Sequence, residues 1–424
     1  MGNFNIKEKV FGLDSTQLKF GQQSLNELSW EIQKFKPKII LLVIDPALKK
    51  FNVNKKIINQ IKDTKTKYII YQKIKVEPSL ESLEAASEFA KKVKFDLIIA
   101  VGGGSTIDTA KVINLIKVCK GKVMDYVNQP IGKGEKPSKK LLPFIAVPTT
   151  SGSGSEATTV AVLDIPELRV KTGISHTFLR PSLALVDPEL SKSAPSGVTA
   201  SAGLDVICHA IESYISKPYF SRDRPLTPAD RPPYQGSNPI SDIWSLQAIE
   251  YAGKYFLRSV LDSKDLEAKG FMMLSATLAG IGFGSAGVHI PHACAYPIAG
   301  LKHTFKAKGY KKAFVPHGIS VFVTAPASFR FTYTSNPKKH IKVAELLKGS
   351  PIKNPSKESL PKELIKIMKK INTPTGIKDL GYTKKDLPNL ISGALKQERL
   401  LALSPTKVQE IDIKNILDQS MKNW

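Results

Sequence analysis

The chain has 424 residues, enough for two or three domains of about 100–200 residues each, and 42% of them are hydrophobic, so each domain can bury a core. Its net charge of +25 comes mostly from lysines spread along the chain, a pattern that favours solvated lysine faces. An acidic small-molecule substrate is a second explanation of the charge, and nucleic acid is a third. Three scattered cysteines exclude a disulfide framework, and no apolar run approaches the roughly 18 residues of a membrane span.

Strands and helices alternate between residues 38 and 190, after a first 35 residues that we interpret as peripheral. Continuous apolar runs predict buried parallel strands, and amphipathic stretches between them predict helices. The predicted strands cover 38–45, 67–74, 95–101, 140–148 and 181–190, the helices 81–94 and 106–119, and a hairpin 157–175. This order is typical of a doubly wound α/β domain. From Ser191 onward the sequence pattern is almost entirely helical. We therefore expect an α/β domain at 1–190 and an α-helical domain at 191–424.

The third strand leads directly into Gly102, Gly103, Gly104 and Ser105, and a helix follows. Glycines let a ligand approach the backbone, and a helix N-terminus offers N–H groups to a phosphate. The turn lacks the GxGxxG pattern, however, so tight packing of strand on helix explains it equally well. Asp45, at the end of the first strand, suits a ribose hydroxyl, although an Asp before Pro46 also simply starts a turn.

Two further loops are rich in polar groups. The loop at 149–156, TTSGSGSE, combines hydroxyls and glycines at a strand end, which suits a polar ligand. The loop at 217–240 contains six prolines together with Arg222, Arg224 and Arg231. Loops of this length are uncommon in compact domains and are often functional.

A set of imidazoles and one carboxylate predicts a metal site. Asp205 and His209 are one helical turn apart and therefore share a helix face, and His292 and His317 follow later. One carboxylate and three imidazoles suit Fe(II), Zn(II) or a similar ion and leave room for a substrate oxygen. The pattern Asp-x-x-x-His is also frequent by chance, and His289 competes with His292. We assign the remaining histidines, His176, His303 and His340, to the surface or to loops.

Taken together, the motifs AVGGGSTIDTAK, VPTTSGSGSE, ASAGLDVICHAIESY, GVHIPHACAYPIAG and VPHGISV resemble the iron-containing (type III) alcohol dehydrogenases, in family order and over residues 10–420. The segments VKTGIS, RPPYQGSNPISDIW, AGIGFGSAGVH and KQERLLALSP, with the tyrosine of CAYPIAG, are most similar to the hydroxyacid–oxoacid transhydrogenase branch. The resemblance implies a Rossmann-like dinucleotide-binding α/β domain followed by an all-α metal-binding domain, the dehydroquinate synthase-like fold.

The resemblance also implies a role for individual residues. The implied metal ligands are Asp205, His209, His292 and His317, and the implied cofactor contacts are Asp45, Gly102, Gly103, Gly104, Ser105, Thr149, Thr150, Thr158 and Lys171. Within this set, Asp45 would favour NAD over NADP, and Lys171 would contact the nicotinamide ribose. Many family members carry a histidine four residues after the third ligand, where this chain has Tyr296. A proton relay at that position must therefore use Tyr296 or water, and the transhydrogenase branch is similar in having tyrosine there.

The implied reaction is metal-dependent hydride transfer from 4-hydroxybutyrate to 2-oxoglutarate through bound NAD(H), with Fe(II) as the expected ion and Zn(II) as an alternative. Both substrates are anions, so we expect Arg231, then Arg222, to bind a carboxylate. Pinning the long loop to its own domain is the alternative role of these two arginines. Rival functions are an alcohol dehydrogenase with exchangeable NAD, a lyase or synthase on the same plan, and a nucleic-acid-binding protein.

For partners and location, we expect small hydroxy acid and 2-oxo acid substrates, no nucleic acid, no membrane and a homodimer. The N-terminal residues show neither a secretory apolar region nor the composition of an import peptide, so we expect a cytoplasmic protein. The mitochondrial matrix is the alternative, because the transhydrogenase branch occurs in mitochondria.

Overall fold

A computed structural model describes residues 6–168, 170–302 and 304–424 of the chain. These residues form two compact units. The α/β unit consists of Ser15–Pro195 and Asp262–Thr277, and the helical unit of the described part of Met1–Asp14 with Ser196–Leu261 and Leu278–Trp424. The expected domains at 1–190 and 191–424 remain a prediction, because compactness reports packing and not independent folding.

The α/β unit contains a parallel sheet and a hairpin. Its strands are β1 Gln17–Phe20, β2 Ile39–Ile44, β3 Lys67–Tyr71, β4 Leu97–Gly102, β5 Phe144–Pro148, β6 Val160–Ile165, β7 Val170–Ser175 and β8 Leu183–Val186. Six of them form a parallel sheet in the order β1-β8-β5-β4-β2-β3, and β6 pairs antiparallel with β7. The strands and the hairpin expected from the apolar runs are confirmed.

Helices surround this sheet and build the second unit. Within the described residues they are α1 Leu28–Phe35, α2 Val53–Asp63, α3 Leu80–Lys92, α4 Gly104–Cys119, α5 Val123–Tyr126, α6 Ser196–Ile215, α7 Pro239–Leu261, α8 Leu266–Ala286, α9 Ile290–Leu301, α10 His317–Phe322, α11 Ala325–Thr332, α12 Pro337–Lys348, α13 Ser359–Lys370, α14 Leu387–Leu395, α15 Glu398–Leu401 and α16 Glu410–Gln419. Both expected helices of the α/β unit, now α3 and α4, are confirmed.

The strands are apolar at every position because helices cover both faces of the sheet. Alternate residues of β2 point to opposite sides: Ile40 and Leu42 pack with α1 and α2, whereas Leu41 and Val43 pack with α3 and α4. Each such side chain contributes about 1.5–3 kcal/mol when it is fully buried. The carboxyl ends of these strands are therefore held rigidly, and the polar loops begin there.

The first 35 residues are less peripheral than the sequence suggests. β1 pairs in parallel with β8 and forms one edge of the sheet. Its four residues, QLKF, are all partly or fully exposed. A short edge strand without an alternating apolar pattern cannot be recognised from periodicity alone.

In the helical unit, α6 and α9 are buried over most of their length. Helix α6 packs against α7 and α10, and α9 packs against α10 and α14. Among the described residues, no single helix is long and apolar enough to cross a membrane; α8 and α9, with a 105° bend between them, pass that test only as a pair.

Candidate metal centre and cofactor loops

Three helices of the helical unit bring the predicted metal ligands together. Asp205 and His209 lie one turn apart on α6, His292 lies in the first turn of α9, and His317 is the first residue of α10. Helix α10 approaches α6 closely because Gly318 has no side chain: a Cβ at this position would overlap the backbone carbonyl of Ser201. The predicted set of four is thus assembled in one place.

The four side chains share a common centre. From Asp205 Oδ1 the distance is 3.4 Å to His292 Nε2, 3.6 Å to His209 Nε2 and 3.9 Å to His317 Nε2. Ligands about 2.1 Å from a tetrahedral ion lie about 3.4 Å from each other, close to these values. Asp205, His209 and His292 are buried, and one ligand atom from each falls within 4.8 Å of the others.

Unsatisfied atoms at this centre indicate what it holds. Asp205 Oδ1 and His292 Nε2 are buried and have no hydrogen-bond partner among the described residues. Leaving such atoms unpaired costs about 1–3 kcal/mol each, and more for a charged group. A cation between them would satisfy both atoms, so the residues present fit a divalent metal.

Electrostatics support the same interpretation. Burial alone would raise the pKa of Asp205, but the imidazoles of His209, His317 and His292 hold it well below its usual range. Burial lowers the pKa of His209 to about 3, against the attraction of Asp205. Asp205 is therefore ionised and His209 neutral at physiological pH, which are the forms that bind a metal.

Glu212 is a functional residue that the sequence analysis missed. Its Oε1 lies 2.5 Å from His292 Nδ1, and its Oε2 accepts a hydrogen bond of 2.6 Å from the His289 backbone N–H. Burial lowers the pKa of His292, but the carboxylates of Glu212 and Asp205 together outweigh burial and raise the pKa to about 9. A carboxylate on Nδ1 turns Nε2 toward the centre and fixes its tautomer. Glu212 follows Asp205 by seven residues on α6, and this helical spacing was the available signal.

The other histidines lie outside the centre. His289 is buried, and neither of its ring nitrogens has a hydrogen-bond partner within the described ranges, yet it is not part of the metal cluster. The assignment of His340 to the surface was wrong, because only 1% of it is exposed and its ring bridges Thr332 and Asn336. His176 caps a short helical turn in a loop. His303 lies outside the described residues.

Tyr296 occupies the position at which a relay histidine was considered. It lies on α9, one turn after His292, and is 5% exposed. Its ring is nearly parallel to the His317 ring, with 6.1 Å between the two centroids. The Tyr296 ring therefore lies beside His317 and one helical turn from His292.

In the α/β unit, the two loops predicted to bind the cofactor lie side by side. The Thr149 N–H donates a 3.0 Å hydrogen bond to the carbonyl of Gly102, which joins the end of β5 to the end of β4. A Cβ on Gly102 would collide with the Thr106 side chain, and one on Gly104 with Ser153. The glycines are thus required by close packing, and the same turn leads into the N-terminus of α4, where backbone N–H groups are of the kind that suits a phosphate.

Thr150 faces this turn, whereas Thr158 takes part in the hydrogen bonds that hold the loop after β5. A Cβ on Gly103 would lie 3.2 Å from Thr150 Oγ1. Thr158 is buried, and its hydroxyl accepts a 3.0 Å hydrogen bond from Lys111 Nζ. Lys111 also donates to Ser155 and to the Val160 carbonyl, and it forms an ion pair with Asp108. Burial lowers the pKa of Lys111 to about 8. This buried network fixes the loop after β5.

Asp45, Ser105 and Lys171 already have protein partners. Asp45 Oδ1 accepts a 2.8 Å hydrogen bond from the Ala47 N–H and caps the helical turn that follows, as the turn alternative predicts. Ser105 Oγ accepts a hydrogen bond from the Glu77 N–H, and the Glu77 carboxylate pairs with Lys171 on β7. Cofactor binding by these residues remains a prediction.

The two arginines expected to bind the substrate form ion pairs with a buried carboxylate of the protein. Arg222 and Arg231 lie in the long loop, and both contact Glu8 Oε2, at 3.2 Å and 3.3 Å. The Glu8 side chain is only 1% exposed. This contact is what the alternative role, pinning the loop to its own domain, predicts.

Sequence comparison places this architecture among known proteins. Residues 15–188 match the family described as iron-containing alcohol dehydrogenase, and residues 234–421 match the C-terminal domain of the same family. The chain belongs to the iron-containing alcohol dehydrogenase family. Its predicted fold class is thereby confirmed: a structure of 1,3-propanediol oxidoreductase is 26% identical, with a TM-score of 0.83 over 97% of this chain and 100% of that one.

Within the family, the chain is similar to hydroxyacid–oxoacid transhydrogenases. The mitochondrial enzyme of Xenopus tropicalis is 41% identical over 98% of this chain and 91% of its own length. The enzyme of Rattus norvegicus is 42% identical over 97% and 90%, respectively. Both relatives are named mitochondrial, so the comparisons do not support the cytoplasmic location expected from the N-terminal sequence.

Proposed function

We propose that the protein is a hydroxyacid–oxoacid transhydrogenase that oxidises 4-hydroxybutyrate to succinate semialdehyde and reduces 2-oxoglutarate to 2-hydroxyglutarate, with the hydride carried by bound NAD(H). The observation that carries the proposal is the convergence of Asp205, His209, His292 and His317 on one centre, the first three of them buried. The similarity to transhydrogenases over nearly the whole chain supports this reaction over other reactions of the family.

The side chains of the centre have separate tasks. Asp205, His209, His292 and His317 would hold the ion. Glu212 orients His292 through its contact with Nδ1. When bound, the divalent ion supplies Lewis acidity, which lowers the pKa of the substrate hydroxyl. Fe(II) is the proposed ion because the family is iron-containing, while Zn(II) fits the same donors.

Tyr296 is the proposed route for the hydroxyl proton. Its phenol stands one helical turn from His292 and beside His317. Oxidation of an alcohol releases a proton, and a hydroxyl group at this position can accept one and donate one. A bound water is the alternative carrier.

The cofactor would bind along the ends of β4 and β5. The turn at Gly102, Gly103, Gly104 and Ser105 lacks side-chain bulk and leads into α4, so it suits a pyrophosphate. Thr149 and Thr150 border this turn. Asp45, at the end of β2, would accept a hydrogen bond from the adenosine ribose and disfavour a 2′-phosphate.

A two-substrate assay without added NAD tests the proposal. The purified protein, with its metal content measured, is incubated with 4-hydroxybutyrate and 2-oxoglutarate, and succinate semialdehyde and 2-hydroxyglutarate are quantified. Equal amounts of both products support the transhydrogenase. Turnover only with stoichiometric added NAD would instead indicate an alcohol dehydrogenase with exchangeable cofactor. Omitting 2-oxoglutarate is the control.

Two further proposals concern the cell and the assembly. The names of the relatives support the mitochondrial matrix as the location, and fractionation of cells that express the tagged protein tests it. The homodimer expected from the sequence remains a proposal, tested by light scattering of the purified protein. A mass of about twice 46.5 kDa would support it.

A further inference from the structure

Two donors of one short segment are buried without an acceptor. Gln397 immediately precedes α15 and Arg399 lies within it. Gln397 Nε2 and Arg399 Nη1 have no hydrogen-bond partner in the described part of the chain, and Gln397 is only 8% exposed. Buried donors are nearly always paired in folded proteins. Within the described residues, both donors therefore remain available to an acceptor from outside the protein.

Aromatic rings connect this segment to the metal centre. The guanidinium carbon of Arg399 lies 4.7 Å from the ring centroid of Tyr234. The Tyr234 ring packs edge-on against Phe283, with 6.5 Å between centroids, and Phe283 stacks on the metal ligand His209 at 4.1 Å. Only two rings thus separate the guanidinium from a metal ligand.

Backbone contacts hold the segment in this position. The Leu403 carbonyl accepts a 2.9 Å hydrogen bond from the Lys217 N–H, two residues beyond the end of α6. Tyr234 and Leu403 occupy the space beside Gly287, where a Cβ would collide with both. The segment is therefore fixed to the helix that carries Asp205 and His209.

The surroundings of the Arg399 guanidinium differ from those of the two arginines in the long loop. Arg222 and Arg231 face the buried carboxylate of Glu8. Arg399, by contrast, contacts the uncharged side chain of Tyr234 through both its ring and its hydroxyl, and none of the ion pairs in the described ranges includes it. Its positive charge remains available to an anion.

We propose that Arg399, assisted by Gln397, binds the carboxylate of both substrates. The inference rests on the proposed transhydrogenase function. A guanidinium binds a carboxylate through two parallel hydrogen bonds, and a neighbouring amide N–H adds a third. Contact with Tyr234 holds the guanidinium plane in place before the substrate arrives.

The chemistry of the two substrates explains how one cation serves both half-reactions. In 4-hydroxybutyrate, three carbon–carbon bonds separate the carbinol carbon from the carboxylate carbon. In 2-oxoglutarate, three carbon–carbon bonds separate the keto carbon from the distal carboxylate carbon. A single anchor at a fixed distance from the metal therefore places the reacting carbon of each substrate at the same position.

Kinetics of Arg399→Leu with substrates that have or lack the anchored carboxylate test the proposal. 1-Butanol carries a methyl group where 4-hydroxybutyrate has its carboxylate, and 2-oxopentanoate carries one where 2-oxoglutarate has its distal carboxylate. We expect the KM for 4-hydroxybutyrate and 2-oxoglutarate to rise about 10- to 100-fold, and kcat/KM for the two methyl analogues to stay within about twofold. Arg399→Lys keeps the positive charge but loses the two parallel N–H donors of the guanidinium. Its KM for the two substrates should therefore lie between those of the wild type and Arg399→Leu.

Controls separate binding from structural damage. Arg258 also lies over a tyrosine ring of the helical unit, at 5.2 Å from the Tyr255 centroid, and Arg258→Leu should leave all four substrates unaffected. Metal content and thermal unfolding of Arg399→Leu should match the wild type. Equal losses on the two substrates and on their methyl analogues would overturn the proposal, and so would a selective loss in Arg231→Ala in place of Arg399→Leu.

The wild-type assay distinguishes the two levels of inference. If the wild type converts both acids and Arg399→Leu does so with unchanged KM, the carboxylate anchor is wrong and the transhydrogenase function stands. If the wild type converts neither acid, the proposed function fails and the anchor fails with it.

Discussion

The metal centre and the cofactor loops are built on opposite principles. At the metal centre, individual side chains from α6, α9 and α10 converge and leave buried atoms such as Asp205 Oδ1 and His292 Nε2 unpaired. At the loops proposed to bind the cofactor, Thr158 is satisfied internally by Lys111, and the glycine turn offers backbone in place of side chains. Side-chain identity thus specifies the first site, and backbone shape specifies the second.

Removing a metal ligand should have the largest effect. Asp205→Ala deletes the carboxylate that lies within 4 Å of all three imidazoles. We expect metal to be lost and kcat/KM to fall about 10³-fold or more, since the ion contributes several kcal/mol to the reaction. Mass spectrometry for metal and the two-substrate assay measure this. Full metal content with normal turnover would exclude Asp205 as a ligand.

Acid should weaken the helical unit through a histidine outside the metal centre. Burial lowers the pKa of His340 from 6.5 to about 4, partly offset by the Asn336 carbonyl. Between these values the unfolded chain binds more protons than the folded one, so stability falls as pH drops. The loss from pH 7 to pH 5 should be about 2 kcal/mol.

Urea unfolding at both pH values, for the wild type and for His340→Gln, isolates this contribution. The variant should lose less stability on acidification, because glutamine does not titrate. An identical pH dependence in both proteins would assign the acid sensitivity to other groups.

Changing the carboxylate behind a ligand should weaken the metal centre without abolishing it. Glu212→Gln keeps the shape of the side chain but removes the charge that raises the pKa of His292. Metal affinity should fall about 10- to 100-fold. Competition with a chelator measures the affinity, and Glu363→Gln, a surface ion-pair variant, is the control. Unchanged affinity would contradict the orienting role.

A glycine substitution tests whether shape specifies the second site. Gly102→Ala places a methyl group against the Thr106 side chain and should weaken NAD(H) binding about tenfold, with metal content unchanged. Gly12→Ala is a matched control, because the nearest atom to its Cβ would lie 3.9 Å away. Calorimetric titration with NADH gives the comparison. Equal affinities for Gly102→Ala and the wild type would show that close backbone approach is not needed.

The same contrast explains what the sequence could reveal. The strands around the glycine turn, such as β2 and β4, are continuous apolar runs, and Asp205 and His209 carry a helical spacing, so both were predictable. The convergence of His292 and His317 on α6 depends on packing between distant helices; the residue types suggested it, and the family resemblance supported it. Glu212 was missed because its role arises from a contact with α9, 80 residues away.

The arginines mark a second limit of sequence reasoning. Arg222 and Arg231 stood out because they lie in an unusual loop, yet their partner, Glu8, lies more than 200 residues earlier in the chain. Arg399 lies in no unusual stretch of sequence. The rings of Tyr234 and Phe283 lie between it and His209. Neither pairing leaves a periodic pattern in the sequence.

Glu8 also has a practical consequence. Lys7 forms an ion pair with Asp223, and Glu8 forms ion pairs with both arginines. The Gly12 N–H donates a hydrogen bond to Gln235. The beginning of the described chain is therefore held against the proline-rich loop. Any proteolytic trimming or tag removal that cuts after Glu8 would leave two guanidinium groups facing each other with no counter-charge. Expression variants should therefore retain every residue from Lys7 onward. Increased protease sensitivity of the loop at 217–240 would be the first sign that a shortened version had lost these contacts.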